Sequence, residues 1–177
     1  MRFIPIFLNN DEGAISKAMK ITIIAVGKIK EKFYRDALSE YDKRLSKYAK
    51  LKIIEVDDEK APEHISDVLK EQILRKEGEK ILRHITAGTY VVSLEIFGKS
   101  MDSEGFATHL SNLKVGGVSH IRFIIGGSLG LHPSVCERAD MHLSFSAMTF
   151  PHQMMRVILL EQVYRAFRIE AGEPYHK

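Results

Sequence analysis

At 177 residues the chain suits one domain, and it is long enough to bury a core without disulfide or metal staples. Its hydrophobic fraction of 45% and charged fraction of 28% are ordinary for a globular protein, and a net charge of +3 does not by itself identify a nucleic-acid partner. Cys136 is the only cysteine, which excludes an internal disulfide and a cysteine-built zinc site.

Residues 3–8 form an apolar stretch too short for a signal peptide, and Asn9, Asn10, Asp11 and Glu12 follow where small residues would mark cleavage. Residues 1–18 therefore read as an extension outside the fold, with Met19 as an alternative start and residues 19–177 as one domain. No apolar run is long enough to cross a bilayer, so a cytoplasmic protein without a membrane partner is expected.

Residues 21–26 are apolar and β-branched, a buried strand ending at Gly27. Phe33, Ala37, Leu38, Tyr41, Leu45 and Tyr48 recur at helical spacing and predict a helix over 31–48. From Lys28 to Lys52 there are nine basic residues against four acidic ones, an excess that could meet phosphate or form a solvated face of paired charges. A second strand follows over 51–56, then a polar loop with Pro62, then a helix from the cap Ser66 to about His84.

A third strand is predicted over 89–96, closed by Gly98. A helix capped by Asp102 or Ser103 runs to Leu113, and a fourth strand spans 121–125. A glycine-rich loop, a short helix after Pro133 and a fifth strand over 141–145 come next. Pro151 suits the first turn of a last helix ending near Gly172. The alternation predicts an α/β fold with a mostly parallel sheet covered by helices on both faces. The last helix is apolar almost all round (Met154, Met155, Val157, Ile158, Leu159, Leu160, Val163, Ala166, Phe167), which suits either a partner subunit or a central position in one subunit.

Two strand ends carry candidate ligand loops. Residues 124–131 (IIGGSLGL) leave a buried strand through glycines, which let backbone approach a ligand or merely make a tight turn. They lack the lysine of a phosphate loop and the first glycine of a dinucleotide fingerprint. Residues 143–152 (LSFSAMTFPH) alternate small hydroxyl and apolar side chains, fit for an adenine-like ring or for a helix-capping linker involving Thr149. His152 and Arg156 open the last helix one turn apart, a spacing shared by surface pairs and catalytic ones. The tail brings together Tyr175, His176 and Lys177. No metal site and no Ser-His-Asp arrangement can be argued from the spacing.

Five stretches together closely resemble the ribosomal RNA large subunit methyltransferase H family, small members of the knotted SPOUT methyltransferase superfamily. They are 20–28 (KITIIAVGK), 58–62 (DEKAP), 123–130 (FIIGGSLG), 143–153 (LSFSAMTFPHQ) and 173–176 (EPYH). The resemblance covers residues 19–177. It implies a homodimer with a C-terminal trefoil knot, S-adenosyl-L-methionine as methyl donor, and N3 of a pseudouridine in large-subunit (23S) ribosomal RNA as target, on the assembled ribosome. Carried over residue by residue, the cofactor pocket would use Leu94, Gly126, Phe145, Ser146, Ala147, Met148, Thr149 and Phe150. The catalytic candidates are Tyr175 and His176 beside the target base, His152 as a catalytic group or as the anchor of its helix, and Arg156 with the basic first helix on phosphates. The rival readings are a SPOUT enzyme acting on another RNA such as tRNA, and a non-catalytic ribosome-binding protein.

Overall fold

A computed structural model describes residues 18–174. Most of the extension, and the tail candidates Tyr175 and His176, lie outside the described residues. Five strands and five helices alternate: β1 (Met19–Val26), α1 (Lys32–Leu45), β2 (Ala49–Val56), α2 (Asp67–Leu82), β3 (Tyr90–Ser100), α3 (Ser103–Val115), β4 (His120–Ile125), α4 (Pro133–Arg138), β5 (Met141–Ser144) and α5 (His152–Glu170). The strands make one parallel sheet in the order β2-β1-β4-β3-β5. All carboxyl ends therefore point the same way, and the loops that follow them share one edge.

The two-residue period of the strands divides the core. Ile21, Ile23 and Ala25 of β1, with Phe123 and Ile125 of β4, join the cluster that holds the buried residues of α1, α3 and α5. The intervening Ile24, Val26 and Ile124 join the smaller cluster with Ile81 of α2 and Val135 of α4. Both faces of the sheet are thus covered, as parallel pairing requires.

Local chemistry sets the helix starts. Ser66 accepts from the Leu69 backbone N–H at 3.3 Å, and Asp102 accepts from Gly105 N–H at 2.7 Å, which identifies Asp102 as the cap of α3. Pro151 stands one residue earlier than expected: it is the N-cap of α5, extended at ψ 133°, and no side chain caps that end, so Thr149 has no capping bond there. Leu159, Leu160, Val163, Ala166 and Phe167 of α5 are buried in the single chain, Met155, Val157 and Ile158 are half-buried, and Met154 is exposed.

The third strand also departs from its expected end. It continues through Gly98 to Ser100, but Leu94 and Lys99 both pair with Leu143 of β5, so the four residues between them leave the ladder. Gly98 permits the rejoining. A Cβ there would stand 2.8 Å from the Leu143 carbonyl carbon and 2.9 Å from the His142 backbone, closer than two chains can pass with a side chain between them.

Candidate active site

The carboxyl ends of β3, β4 and β5 open into one cleft of about 750 Å³. Its wall from β3 is Leu94 and the displaced Glu95, Ile96 and Phe97. Its floor is the turn after β4, from Gly126 to Leu131. The remaining wall is Phe145, Ser146, Met148, Thr149 and Phe150, followed by Pro151 and His152 at the head of α5. Leu94, Gly126 and Met148, which the family resemblance assigns to the cofactor pocket, therefore meet around one space; Ala147 does not line it.

The floor is closely built. The turn is pinned by Gly130 N–H donating to the Gly127 carbonyl at 3.2 Å. A Cβ on Gly126 would lie 2.4 Å from the Gly130 oxygen, so only glycine fits. Beneath Gly127 lies the buried carboxylate of Glu77 in α2, which accepts from Glu59 N–H at 2.9 Å and so holds the 58–62 loop against the turn. Burial raises the Glu77 pKa above the ordinary carboxylate value. The β5 wall is tied to β3 by the Ser144 hydroxyl, which donates to the Ile96 carbonyl at 2.8 Å.

A family model described as "Predicted SPOUT methyltransferase" matches residues 19–176. The chain belongs to this SPOUT methyltransferase family. It is 61% identical over 159 residues to Ribosomal RNA large subunit methyltransferase H of Bifidobacterium adolescentis, covering 90% of this chain and 100% of that one. The namesakes from Bifidobacterium animalis subsp. lactis and Carboxydothermus hydrogenoformans are 60% and 57% identical over the same coverage.

Within this methyltransferase, His152 and Arg156 have different surroundings despite their spacing. His152 is half-buried, lines the cleft and lies against Gly27, where a Cβ would stand 3.3 Å from its Nε2. Burial lowers its pKa below the ordinary imidazole value, and the Arg156 charge lowers it further. Arg156 is wholly buried. Its guanidinium donates to Glu55 at 2.6 Å and to the carbonyls of Gly27 and Val26 at 2.7 and 3.1 Å. The expectation that Arg156 holds a phosphate is corrected by this geometry: the group is enclosed, its two terminal nitrogens are bonded at the ends of β1 and β2, and it holds the Gly27 turn against which His152 rests.

The basic stretch around α1 is partly neutralised. Lys28 pairs with Asp57, Lys32 with Asp36, Arg44 with Glu40 and Lys47 with Glu173. Two acidic residues at the site, Glu95 and Glu77, are not singled out by the sequence, and neither is the role of Glu173 at the far end of α5. Glu95 lies in a predicted strand, Glu77 in a charged helix, and Glu173 in a tail motif without an assigned role. Glu173 anchors the end of α5 to Lys47, Arg168 and the Tyr48 hydroxyl at 2.7–2.8 Å. Cys136 also lines the cleft, but burial pushes its thiol up to about 11, too high for a reactive thiolate at neutral pH.

Proposed function

We propose that the chain transfers a methyl group from S-adenosyl-L-methionine to N3 of a pseudouridine in large-subunit ribosomal RNA, on the assembled ribosome and as a cytoplasmic homodimer. The observation that carries this reading is the cleft at the three strand ends. Its volume is in the range of small-molecule sites, its walls are mainly apolar, and its floor offers glycine backbone with no side chain in the way. Those features suit an adenine ring and a compact nucleoside. The names of the relatives supply the ribosomal RNA, and Lys43, Lys50 and Lys52, exposed in the basic stretch, would meet phosphates. Residues 19–177 would form the single domain, with 1–18 outside it.

The bound donor would supply an electrophilic methyl group on sulfur. The chain supplies alignment, since displacement needs the nucleophile in line behind that methyl group. Apolar walls exclude water from the reacting atoms. His152, kept neutral by burial, can accept the imide proton whose loss makes the base nitrogen nucleophilic.

The reach of the tail argues for two subunits per site. α5 begins at the cleft and spans 19 residues, so its ends lie about 27 Å apart at 1.5 Å per residue. Glu173 is fixed at the far end, and two residues beyond Pro174 extend at most about 7 Å. A tail that borders the target base would therefore do so in the cleft of a partner subunit. The exposed Met154 and half-buried Met155, Val157 and Ile158 of α5 would give such a partner an apolar contact. Removing residues 175–177 should stop methylation yet spare donor binding. Mixing that truncation with a cleft-disabled, tail-intact chain should restore turnover, because the heterodimer has one complete site. No recovery in subunits shown to exchange would refute sharing.

His152 predicts a pH profile. A proton acceptor works only while neutral, and its lowered pKa keeps the ring neutral below the ordinary value of about 6.5. The methylation rate should hold down through that value and fall only at more acidic pH. In His152→Gln this acid limb should vanish and the rate should drop about 100-fold. An unaltered limb in the variant would remove the ring from proton transfer.

The substrate assignment is tested by mass mapping of ribosomal RNA from a deletion strain. Loss of one N3-methyl-pseudouridine, restored by the gene, supports it. A retained mark, or loss from tRNA instead, overturns it.

A further inference from the structure

The displaced segment of β3 turns one acidic side chain into the cleft. Glu95 is the only Asp, Glu, Lys or Arg among the described residues that line it; the other lining residues are apolar, glycine or uncharged polar groups, with Cys136 protonated and His152 held toward its neutral form. This carboxylate is mounted rather than loose. Ser93, wholly buried, donates its hydroxyl to Glu95 Oε1, and His142 Nδ1 lies 2.7 Å from the same oxygen. Ser93 and His142 are themselves 3.0 Å apart, so the three groups fix one another. Burial opposes ionisation of Glu95, but the hydrogen bonds it shares with Ser93, His142 and Cys136 act the other way, and its pKa lies below the ordinary carboxylate value.

An anion fixed in an otherwise uncharged apolar cleft gives that space a sign. It costs desolvation in the empty protein and interacts more strongly than it would in water with whatever charge enters. The segment that carries Glu95 leaves the ladder. The excursion between Leu94 and Lys99 depends on Gly98, and the Ser144 hydroxyl clasps it at Ile96. A strand that simply continued its ladder would keep residue 95 in register with β5.

We propose that Glu95 recognises the charge of the methyl donor, favouring a sulfonium nucleoside over the thioether that remains after transfer. The inference rests on the donor reading given above. S-adenosyl-L-methionine carries a positive sulfur, and S-adenosyl-L-homocysteine has lost the methyl group and that charge while keeping the adenosine and the amino-acid end. A nearby fixed anion separates the two where apolar walls and backbone hydrogen bonds cannot. The same preference aids turnover, because the product leaves a site that attracts it less.

The test is calorimetric titration of the full chain with each of the two ligands, for wild type, Glu95→Gln and Glu95→Asp, with unfolding curves to establish that each variant is folded. Glu95→Gln keeps the shape and a hydrogen-bonding amide but removes the charge. It should weaken S-adenosyl-L-methionine binding about tenfold and leave S-adenosyl-L-homocysteine within about threefold, so the preference between them collapses. Glu95→Asp should keep most of that preference. Equal weakening of both ligands would mean that Glu95 contacts a part they share, and would overturn charge recognition. An unchanged preference in Glu95→Gln would overturn it too. If the wild type binds neither ligand, the donor reading itself fails and the inference fails with it.

Discussion

Replacing Gly126 by alanine is expected to abolish donor binding, with a loss of more than about 100-fold in affinity and a matching loss of methylation. The added Cβ would stand 2.4 Å from the Gly130 oxygen, 2.7 Å from the Gly130 carbonyl carbon and 3.1 Å from Leu131 Cδ2. Two of these neighbours are backbone and cannot rotate away. The turn is short and held by the Gly130-to-Gly127 hydrogen bond, and Gly130 sits at φ +91°, a conformation that side chains resist. The strain therefore goes into opening the turn, and its displaced residues enter the floor of the cleft. Overpacking of this kind costs about 1–3 kcal/mol of stability, which a domain of this size usually survives. Calorimetry with S-adenosyl-L-homocysteine and a denaturant curve separate the two effects. A folded Gly126→Ala protein that binds with wild-type affinity would remove this turn from the donor site.

The second large effect concerns stability. Arg156→Leu should destabilise the fold by about 3 kcal/mol, near the lower end for removing one member of a buried ion pair. The guanidinium is fully enclosed and serves Glu55, Val26 and Gly27 at once. Glu55 is about one third exposed and can partly rehydrate, which limits the loss. The two carbonyls cannot, and an unmatched buried acceptor costs about 1–3 kcal/mol. Arg156→Lys keeps a charge but not the planar fork, and should recover only part of the loss. Chemical denaturation of the three proteins measures this. An Arg156→Leu protein as stable as wild type would show that the interior pair does not hold the β1 and β2 ends to α5.

The contrast between Arg156 and its neighbour shows what a linear sequence conceals. A spacing of four places His152 and Arg156 on the same side of a helix, but not against a particular neighbour. The neighbours are Gly27 and Glu55, more than 100 positions away. By contrast, the strands were legible because their signal is local: Ile21, Ile23 and Ala25 against Ile24 and Val26 already describe a sheet buried on both faces. The two loops of the cleft were legible for the same reason, each following a short apolar strand and rich in glycine or small residues. The third wall was not. Gly98 reads as a strand terminator, and only the approach of β5 shows that it admits a second chain beside the segment that carries Glu95. The acidic residues of α2 likewise gave no sign that Glu77 alone among them is buried beneath the glycine turn.

Hydrogen–deuterium exchange, with and without S-adenosyl-L-homocysteine, tests most directly whether three strand ends make one nucleoside site. Ligand should slow exchange in residues 94–97, 126–131 and 145–150 together, while the opposite edge of the sheet is unaffected. Slowing confined to one of these segments, or centred elsewhere in the protein, would contradict it.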